Sequence, residues 1–229
     1  PISDLLAENN IEWLSGYVNS ELALKADCVI VGNAVKRGMP VIEDVLNNTK
    51  SYTSGPEWLA NNVLHNRKVM AVAGTHGKTT TTSMLSFILE YAGLTPGFLV
   101  GGVARNFNTS SRLGKGEWFV IEADEYDTAF FDKRPKFMHY RPQVAIMNNL
   151  EFDHADIYPD LEAIKQQFHF LTRSIPSSGL ILQPKSDLAL DDVMQRGLYS
   201  NLEKVSLNGD ADWCAELKTA SGSEFTVFQ

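Results

Sequence analysis

Basic residues are in short supply: 20 Lys and Arg stand against 28 Asp and Glu, a formal charge of −8. That balance excludes a globally basic face for a nucleic-acid backbone or an anionic membrane surface. Neither nucleic acid nor membrane is therefore expected as a partner, and any phosphate-bearing ligand has to be held locally. Cysteine is nearly absent. Cys28 and Cys214 are the only two, far apart in apolar stretches, which excludes a disulfide framework and a paired-cysteine zinc site and predicts free thiols in a reducing compartment. Long apolar runs are missing too. Nothing approaches the roughly 18 residues of a membrane-crossing helix, and no charged, apolar, small-residue leader opens the sequence, so a cytoplasmic location is expected.

What is present is a chain of 229 residues, 44% of them hydrophobic, long enough for one large core or two modest ones. It begins Pro1-Ile2-Ser3 without an initiator methionine and stops on the alternating run Phe225-Thr226-Val227-Phe228-Gln229, which predicts a piece of a longer enzyme. Strand and helix signals alternate along the first two thirds. Residues 26–32 form a short apolar run ending at Gly32, as a buried parallel strand does, and 40–46 carry helical spacing after Pro40. A short strand at 50–53 leads into a helix start at Ser54-Gly55-Pro56-Glu57. The polar stretch His65-Asn66-Arg67-Lys68 is the expected domain boundary, giving domains 1–66 and 67–229.

Beyond it, the strand 69–73 runs through a Gly/Thr-rich loop into a helical repeat, 83–91, with Met84, Leu85, Ile88 and Leu89 as its apolar residues. Strands at 118–121 and 144–147 each run into acidic and amide residues, and 164–171 is helical. After Gly179 short strands with turn signals are expected, the last two forming a hairpin around Ser221-Gly222. The predicted fold is α/β: a Rossmann-like remnant, then a phosphate-loop domain with a mostly parallel sheet and an antiparallel β extension.

The strongest local signal is Gly74-Thr75-His76-Gly77-Lys78-Thr79-Thr80. A phosphate cradle needs glycines that let backbone N–H groups approach the oxygens, a lysine for the terminal phosphates, a hydroxyl for Mg²⁺ and a helix N-terminus behind. All four occur in order, although Val72 stands where the longer Walker pattern has glycine. A six-residue match of this kind arises by chance on the order of once per 10⁴ to 10⁵ positions. A second signal, Glu122-Ala123-Asp124-Glu125-Tyr126-Asp127, follows the 118–121 strand. In an open parallel sheet its first carboxylate emerges on the same edge as the phosphate loop and can hold a metal, whereas Glu125 and Asp127 read as solvated turn residues. The third, Asn148-Asn149-Leu150-Glu151-Phe152-Asp153-His154, also ends a strand. Its imidazole, flanked by Asp153 and Asp156, can complete a Mg²⁺ or Mn²⁺ shell, although hard cations prefer oxygen. His65, His139 and His169 read as structural. Gly101-Gly102 allows close approach of a ligand or serves as a plain turn.

Together, GTHGKTTTT, EADE and NLEFDH resemble the Mur ligase family, which joins amino acids or peptides to UDP-N-acetylmuramate. The segment 122–142, longer by roughly residues 131–137 than in members that add L-alanine, is similar to that of members that add the murein tripeptide L-alanyl-γ-D-glutamyl-meso-diaminopimelate. GNAVKRGMP from Gly32, SGPEWLA from Ser54, PGFLVGG from Pro96 and NNLEFDHADIYPDL from Asn148 are similar as well. The resemblance covers most of residues 32–176. It implies a three-domain enzyme with a UDP-binding first domain, an ATP-binding central domain and a C-terminal domain. Against that plan, this chain lacks the opening glycine-rich unit, the later central-domain residues and the third domain.

The resemblance further implies that ATP activates the muramoyl carboxylate as an acyl phosphate, which the tripeptide amine then attacks. Lys78 is expected to stabilise the β/γ-phosphates and residues 74–80 to form the cradle. Thr79 and Glu122 are expected to bind Mg²⁺, with Mn²⁺ as the alternative, and His154 to belong to the second metal's shell. Lys78, Glu122 and His154 are the catalytic candidates, and Gly101, Gly102 and Arg112 the substrate candidates. Competing expectations are an L-alanine-adding ligase, a nucleotide-binding fragment without turnover, and an unrelated P-loop kinase or ATPase. The sequence leaves the oligomeric state open.

Overall fold

The computed structural model describes residues 2–153, 157–207 and 209–229. The chain divides into two compact units, residues 1–58 with 127–133, and residues 59–126 with 134–229.

In the first unit, helices α1 (Ile2–Glu8) and α2 (Glu21–Lys25) precede a strand β1 (Val29–Val31), which pairs in parallel with β2 (Tyr52–Ser54) across the helix α3 (Pro40–Asn47). Pro40 opens α3, where its fixed φ suits the first turn and its missing N–H costs nothing. Met39 offers no side-chain cap; instead the Glu43 carboxylate accepts the Gly38 N–H at 2.7 Å and the Arg37 Nε at 2.9 Å. Ile42 and Val45 turn inward onto Val31, and Phe130 packs on this small core. Phe130 comes from a two-stranded ribbon, β7 (Asp127–Ala129) and β8 (Asp132–Pro135), whose Phe131 ring meets Tyr52 edge-on at 5.0 Å.

The division falls between Trp58 and Leu59, earlier than the polar stretch at 65–68 suggests. Helix α4 (Gly55–Leu59) continues directly into a π-helical turn, Ala60–Leu64. Leu59, Val63 and Leu64 pack into the larger core, so the hydrophobic attachment precedes the polar linker in sequence.

The second unit is built on a nine-stranded sheet. Its strands are β3 (Lys68–Ala73), β4 (Gly97–Ala104), β5 (Thr109–Arg112), β6 (Trp118–Glu122), β9 (Val144–Met147), β10 (Leu180–Pro184), β11 (Asn201–Ser206), β12 (Trp213–Leu217) and β13 (Phe225–Phe228). Their spatial order is β13-β12-β11-β10-β9-β3-β6-β4-β5, parallel except for β5 and β13 at the two edges. The antiparallel β12–β13 pair is the expected hairpin around Ser221-Gly222. Alternation along β3 sends Val69, Ala71 and Ala73 to the face covered by α6 (Leu161–Ser174) and α7 (Leu188–Gln195). There Phe168, Leu171, Leu190 and Val193 are fully buried. The opposite face carries α5 (Lys78–Tyr91) against Phe98, Val100 and Val120.

Helix α5 turns Thr82, Ser86 and Leu89 towards the sheet, while Met84 and Ile88 remain 61% and 60% exposed. Small residues at the contact let the helix sit close to the strand ends, so Met84 and Ile88 of its apolar repeat face outward while Leu85 and Leu89 pack against the sheet. α7 also stands where only strands are expected. Its signal is the buried set Leu190, Val193 and Met194 behind the N-cap Asp187. Both cysteines are free thiols, Cys28 exposed and Cys214 buried. Among the described residues no helix is long and apolar enough to cross a membrane.

Candidate functional site

The register of the central strands brings the sequence motifs together. β3 lies between β6 and β9, with Val72 opposite Glu122 and Ala73 opposite Met147. The loops that follow these strands therefore leave the same sheet edge side by side. The crossovers from β3 and β9 then lead in opposite directions, to β4 and to β10, making this edge a topological switch point of the kind that binds ligands.

Residues 74–77 join β3 to α5 through two left-handed glycines, Gly74 at φ +136° and Gly77 at φ +79°. Gly77 is the N-cap of α5, so Lys78, Thr79 and Thr80 occupy its first turn, where backbone N–H groups lack helical acceptors. The loop is held by residues 148–151. The Thr75 N–H donates to the Asn149 carbonyl at 3.1 Å, and the His76 N–H to Asn149 Oδ1 at 2.8 Å. Asn148 Nδ2 returns a bond to the His76 carbonyl at 3.2 Å, and the Glu151 N–H donates to Thr75 Oγ1 at 2.9 Å. A Cβ on Gly74 would stand 3.0 Å from the Asn149 carbonyl oxygen, so both the backbone conformation and the space there require glycine.

Beyond Asn149, the Leu150 N–H donates to Asp187 Oδ2 at 2.9 Å, while Asp187 Oδ1 accepts the N–H groups of Ala189 and Leu190 and caps α7. Asp187 thus fixes the amide segment to a helix from a distant part of the chain. Nothing in its local sequence distinguishes this second bond from ordinary N-capping.

Thr79 and Glu122 lie side by side at the strand ends. Thr79 Oγ1 donates to Glu122 Oε2 at 3.2 Å, and the Gly101 N–H donates to Glu122 Oε1 at 2.6 Å. Gly101 leaves room for that carboxylate: a Cβ there would stand 3.2 Å from Oε2. Gly102 lies beside Thr79, with ordinary space for a Cβ, 3.4 Å from the threonine methyl. Thr79, Thr80 and His76 are exposed. His154 lies outside the described residues. Among the described residues no group of three His, Cys, Asp or Glu side chains could hold a metal ion.

Lys78 Nζ donates to the Gly74 carbonyl at 2.7 Å and lies 3.3 Å from Glu125 Oε2. This corrects the expectation for Glu125, which is 2% exposed rather than a solvated turn residue. Its side chain turns inward to the ammonium, and the hydroxyl of buried Tyr158 donates to its backbone carbonyl at 2.5 Å. Asp124 pairs with Lys136 at 3.2 Å. Burial, with the Asp124 charge adding to it, pushes the Tyr140 phenol above its ordinary range and keeps it protonated.

Arg112 is placed elsewhere. It donates to Glu90 Oε2 at 2.5 Å and to the Pro96 carbonyl, and stacks over Phe98 and Phe107. Glu90 is twelve residues beyond Lys78 on α5, about 18 Å along the axis. The structure does not bring Arg112 to the phosphate loop.

Residues 72–229 match the Mur ligase middle domain. The chain is 52% identical over 228 residues to a UDP-N-acetylmuramate–L-alanyl-gamma-D-glutamyl-meso-2,6-diaminoheptandioate ligase of Haemophilus influenzae, covering 100% of this chain and 50% of that protein. A UDP-N-acetylmuramate–L-alanine ligase of Pelagibacter ubique is 34% identical over 210 residues, covering 88% of this chain and 42% of that relative. The crystal structure of the UDP-N-acetylmuramate:L-alanyl-gamma-D-glutamyl-meso-diaminopimelate ligase from Neisseria meningitides superposes with a TM-score of 0.92 at 51% identity, covering 100% of this chain and 72% of that one. The chain spans about half the length of the curated Haemophilus relative. With its glycine-rich loop, acidic strand end and amide segment on three adjacent strands of the matched domain, the chain belongs to the Mur ligase family.

Proposed function

We propose that the chain is part of an ATP-dependent ligase that joins L-alanyl-γ-D-glutamyl-meso-diaminopimelate to UDP-N-acetylmuramate in the cytoplasm, in peptidoglycan recycling. One observation carries the reading: Lys78 and Thr79, in the first turn of α5 where backbone N–H groups lack helical acceptors, lie with Glu122 at the carboxyl ends of adjacent parallel strands. Of the two ligase activities named among the relatives, the tripeptide-adding one belongs to the 52% identical protein and the alanine-adding one to the 34% identical protein. That difference favours the tripeptide.

The residues present fit a nucleotide and a hard cation. The positive-φ glycines let the loop lie close against Asn148 and Asn149, where a Cβ on either would stand 3.0–3.1 Å from that segment, and a carboxylate beside a hydroxyl is an oxygen donor set suited to Mg²⁺, with Mn²⁺ acceptable. ATP supplies the phosphoryl group that activates the muramoyl carboxylate for attack by the peptide amine. Residues 74–80 bind and orient the phosphates, and Lys78 offsets charge as it builds on the transferring group. Thr79 and Glu122 hold the cation. By family resemblance His154 belongs to a second metal's shell, residues 1–66 to the UDP-binding domain and residues 67–229 to the ATP-binding domain. Bringing two anions into reaction makes positioning and charge neutralisation the main demands on these side chains.

The test is ADP release by the full-length enzyme given ATP, Mg²⁺ and UDP-N-acetylmuramate. Stimulation by the tripeptide, lost in Lys78→Ala, is the expected result. Stimulation by free L-alanine alone would assign the alanine-adding reaction instead.

A further inference from the structure

The pairing of Lys78 with Glu125 goes beyond what a phosphate cradle requires. An ammonium has three N–H donors. In Lys78 one is bonded to the Gly74 carbonyl at 2.7 Å and a second faces Glu125 Oε2 at 3.3 Å. Asp124, at 3.9 Å, is beyond hydrogen-bonding distance from Lys78 and is itself engaged by Lys136 at 3.2 Å. Two donors are thus fixed inside the loop, and Asp124 adds only a longer ion pair to the same ammonium. The lysine side chain is 11% exposed and that of Glu125 2%, so the pair is largely withdrawn from water. The turn carrying Glu125 is itself anchored, through the Tyr158 hydroxyl on its carbonyl.

We infer that Glu125 is a positioning residue that acts through Lys78, holding the ammonium in the loop where charge develops on the transferring phosphoryl group. The inference rests on the ligase reading above. A lysine on a four-carbon stem loses much rotamer freedom when it is fixed at one point; Glu125 fixes it before nucleotide arrives. The same carboxylate also repels an incoming polyphosphate. Glu125 therefore adds nothing to ground-state affinity, and its benefit falls on the transition state. That gives a signature which a purely structural residue does not share: loss of the charge slows transfer without weakening ATP binding.

The experiment uses the full-length enzyme, with the near-isosteric Glu125→Gln and the shorter but still charged Glu125→Asp. Equilibrium titration gives the ATP Kd, and single-turnover ADP formation with UDP-N-acetylmuramate and tripeptide gives the transfer rate. Glu125→Gln is expected to bind ATP as tightly as wild type, or up to about tenfold tighter, and to transfer at least about tenfold more slowly; Glu125→Asp recovers part of the rate. Weaker ATP binding in step with the lost rate, or a wild-type rate, overturns the inference. If Glu125→Gln does not fold, Glu125→Asp carries the same test: a slower rate at unchanged Kd supports the inference, and a raised Kd overturns it. Failure of the ligase reading is seen separately, as wild-type enzyme without tripeptide-dependent ADP release. In that case ADP formation by wild-type enzyme with ATP and Mg²⁺ alone supplies the rate: Glu125→Gln slows it at unchanged Kd if the inference holds, and an unchanged rate overturns it.

Discussion

Thr79 and Glu122 meet at 3.2 Å, hydroxyl to carboxylate, although 43 residues separate them, because β3 and β6 are paired in register up to Val72 and Glu122. The Gly101 N–H holds the second carboxylate oxygen at 2.6 Å, which orients Glu122 from behind. If this pair holds the cation, Glu122→Ala lowers turnover of the full-length enzyme about a hundredfold or more, and Thr79→Ala raises the Mg²⁺ concentration needed for half-maximal rate. A Mg²⁺ titration of turnover, with thermal melting as the folding control, checks both. Wild-type turnover in Glu122→Ala at saturating Mg²⁺ would return Glu122 to an ordinary turn role.

Gly74→Ala tests the cradle itself. A φ of +136° strains any L side chain, and the new Cβ would press on the Asn149 carbonyl at 3.0 Å. The strain is worth about 1–3 kcal/mol. Its mechanical effect falls on the bonds that residues 148–151 make to the loop, so the ATP Kd is expected to rise at least about tenfold. Gly102→Ala is the control: its Cβ makes an ordinary contact 3.4 Å from the Thr79 methyl. Isothermal titration of the two variants should separate them clearly.

Asp187→Ala removes two kinds of bond at once, the cap of α7 and the tie to the Leu150 N–H. A lost N-cap costs about 1 kcal/mol, and loss of a hydrogen bond to a carboxylate somewhat more. With water replacing part of each, a total near about 2 kcal/mol is expected in denaturant unfolding. Asp187→Asn keeps an oxygen for the cap but can present its NH₂ to Leu150, and should lose about half as much. A loss equal to that of Asp187→Ala would mean that capping contributes little.

Much of the site is legible in the sequence because local chemistry and strand register agree. Val144 to Met147, for example, is read as a strand from its apolar run and is found as β9 with those bounds, with Asn148 leaving its end. What the sequence hides depends on direction rather than type. Glu125 lies in a run of acidic and polar residues with no mark showing that it alone turns inward to Lys78. Met84 and Ile88 have helical spacing but point outward, because Thr82 and Ser86 make the close approach to the sheet. Phe130 and Phe131 are seen only as part of a longer segment, and their packing on Val31 and Tyr52 is a long-range fact. α7 could have been found: Asp187 followed by Leu190, Val193 and Met194 is a capped helical repeat.

The first unit carries a pH-sensitive pair. Hydrogen bonds from Arg37, then from the Gly38 N–H, hold the Glu43 carboxyl at about 2, well below its ordinary 4.5. Folding therefore favours the ionised form. The stabilisation is complete above the unfolded value and drains away as pH falls from about 4.5 towards 2. Glu43→Gln should melt below wild type by a constant margin above about pH 5.5 and converge with it near pH 2. Both partners are solvent-accessible, with side-chain exposures of 64% and 33%, so 1 M salt should shrink the margin.

Arg112 offers a choice between packing and recognition. Its guanidinium bridges the Glu90 carboxylate at the end of α5 and the Pro96 carbonyl at the start of the β4 approach, and it lies 4.8 Å above the Phe107 ring centroid. The planar fork satisfies both acceptors while its face covers the aromatics, an arrangement that lysine cannot reproduce. The side chain is 32% exposed, which discounts the ion pair, so the aromatic stacking and the carbonyl bond account for most of its effect. Arg112→Ala is expected to lower stability by about 1–2 kcal/mol in chemical denaturation. Arg112→Lys should recover less than half of that loss. Because these contacts lie about 18 Å along α5 from Lys78, the ATP Kd and the KM for UDP-N-acetylmuramate in the full-length enzyme should stay within about twofold of wild type. A KM raised tenfold at unchanged stability would show instead that the guanidinium leaves Glu90 to meet the sugar nucleotide.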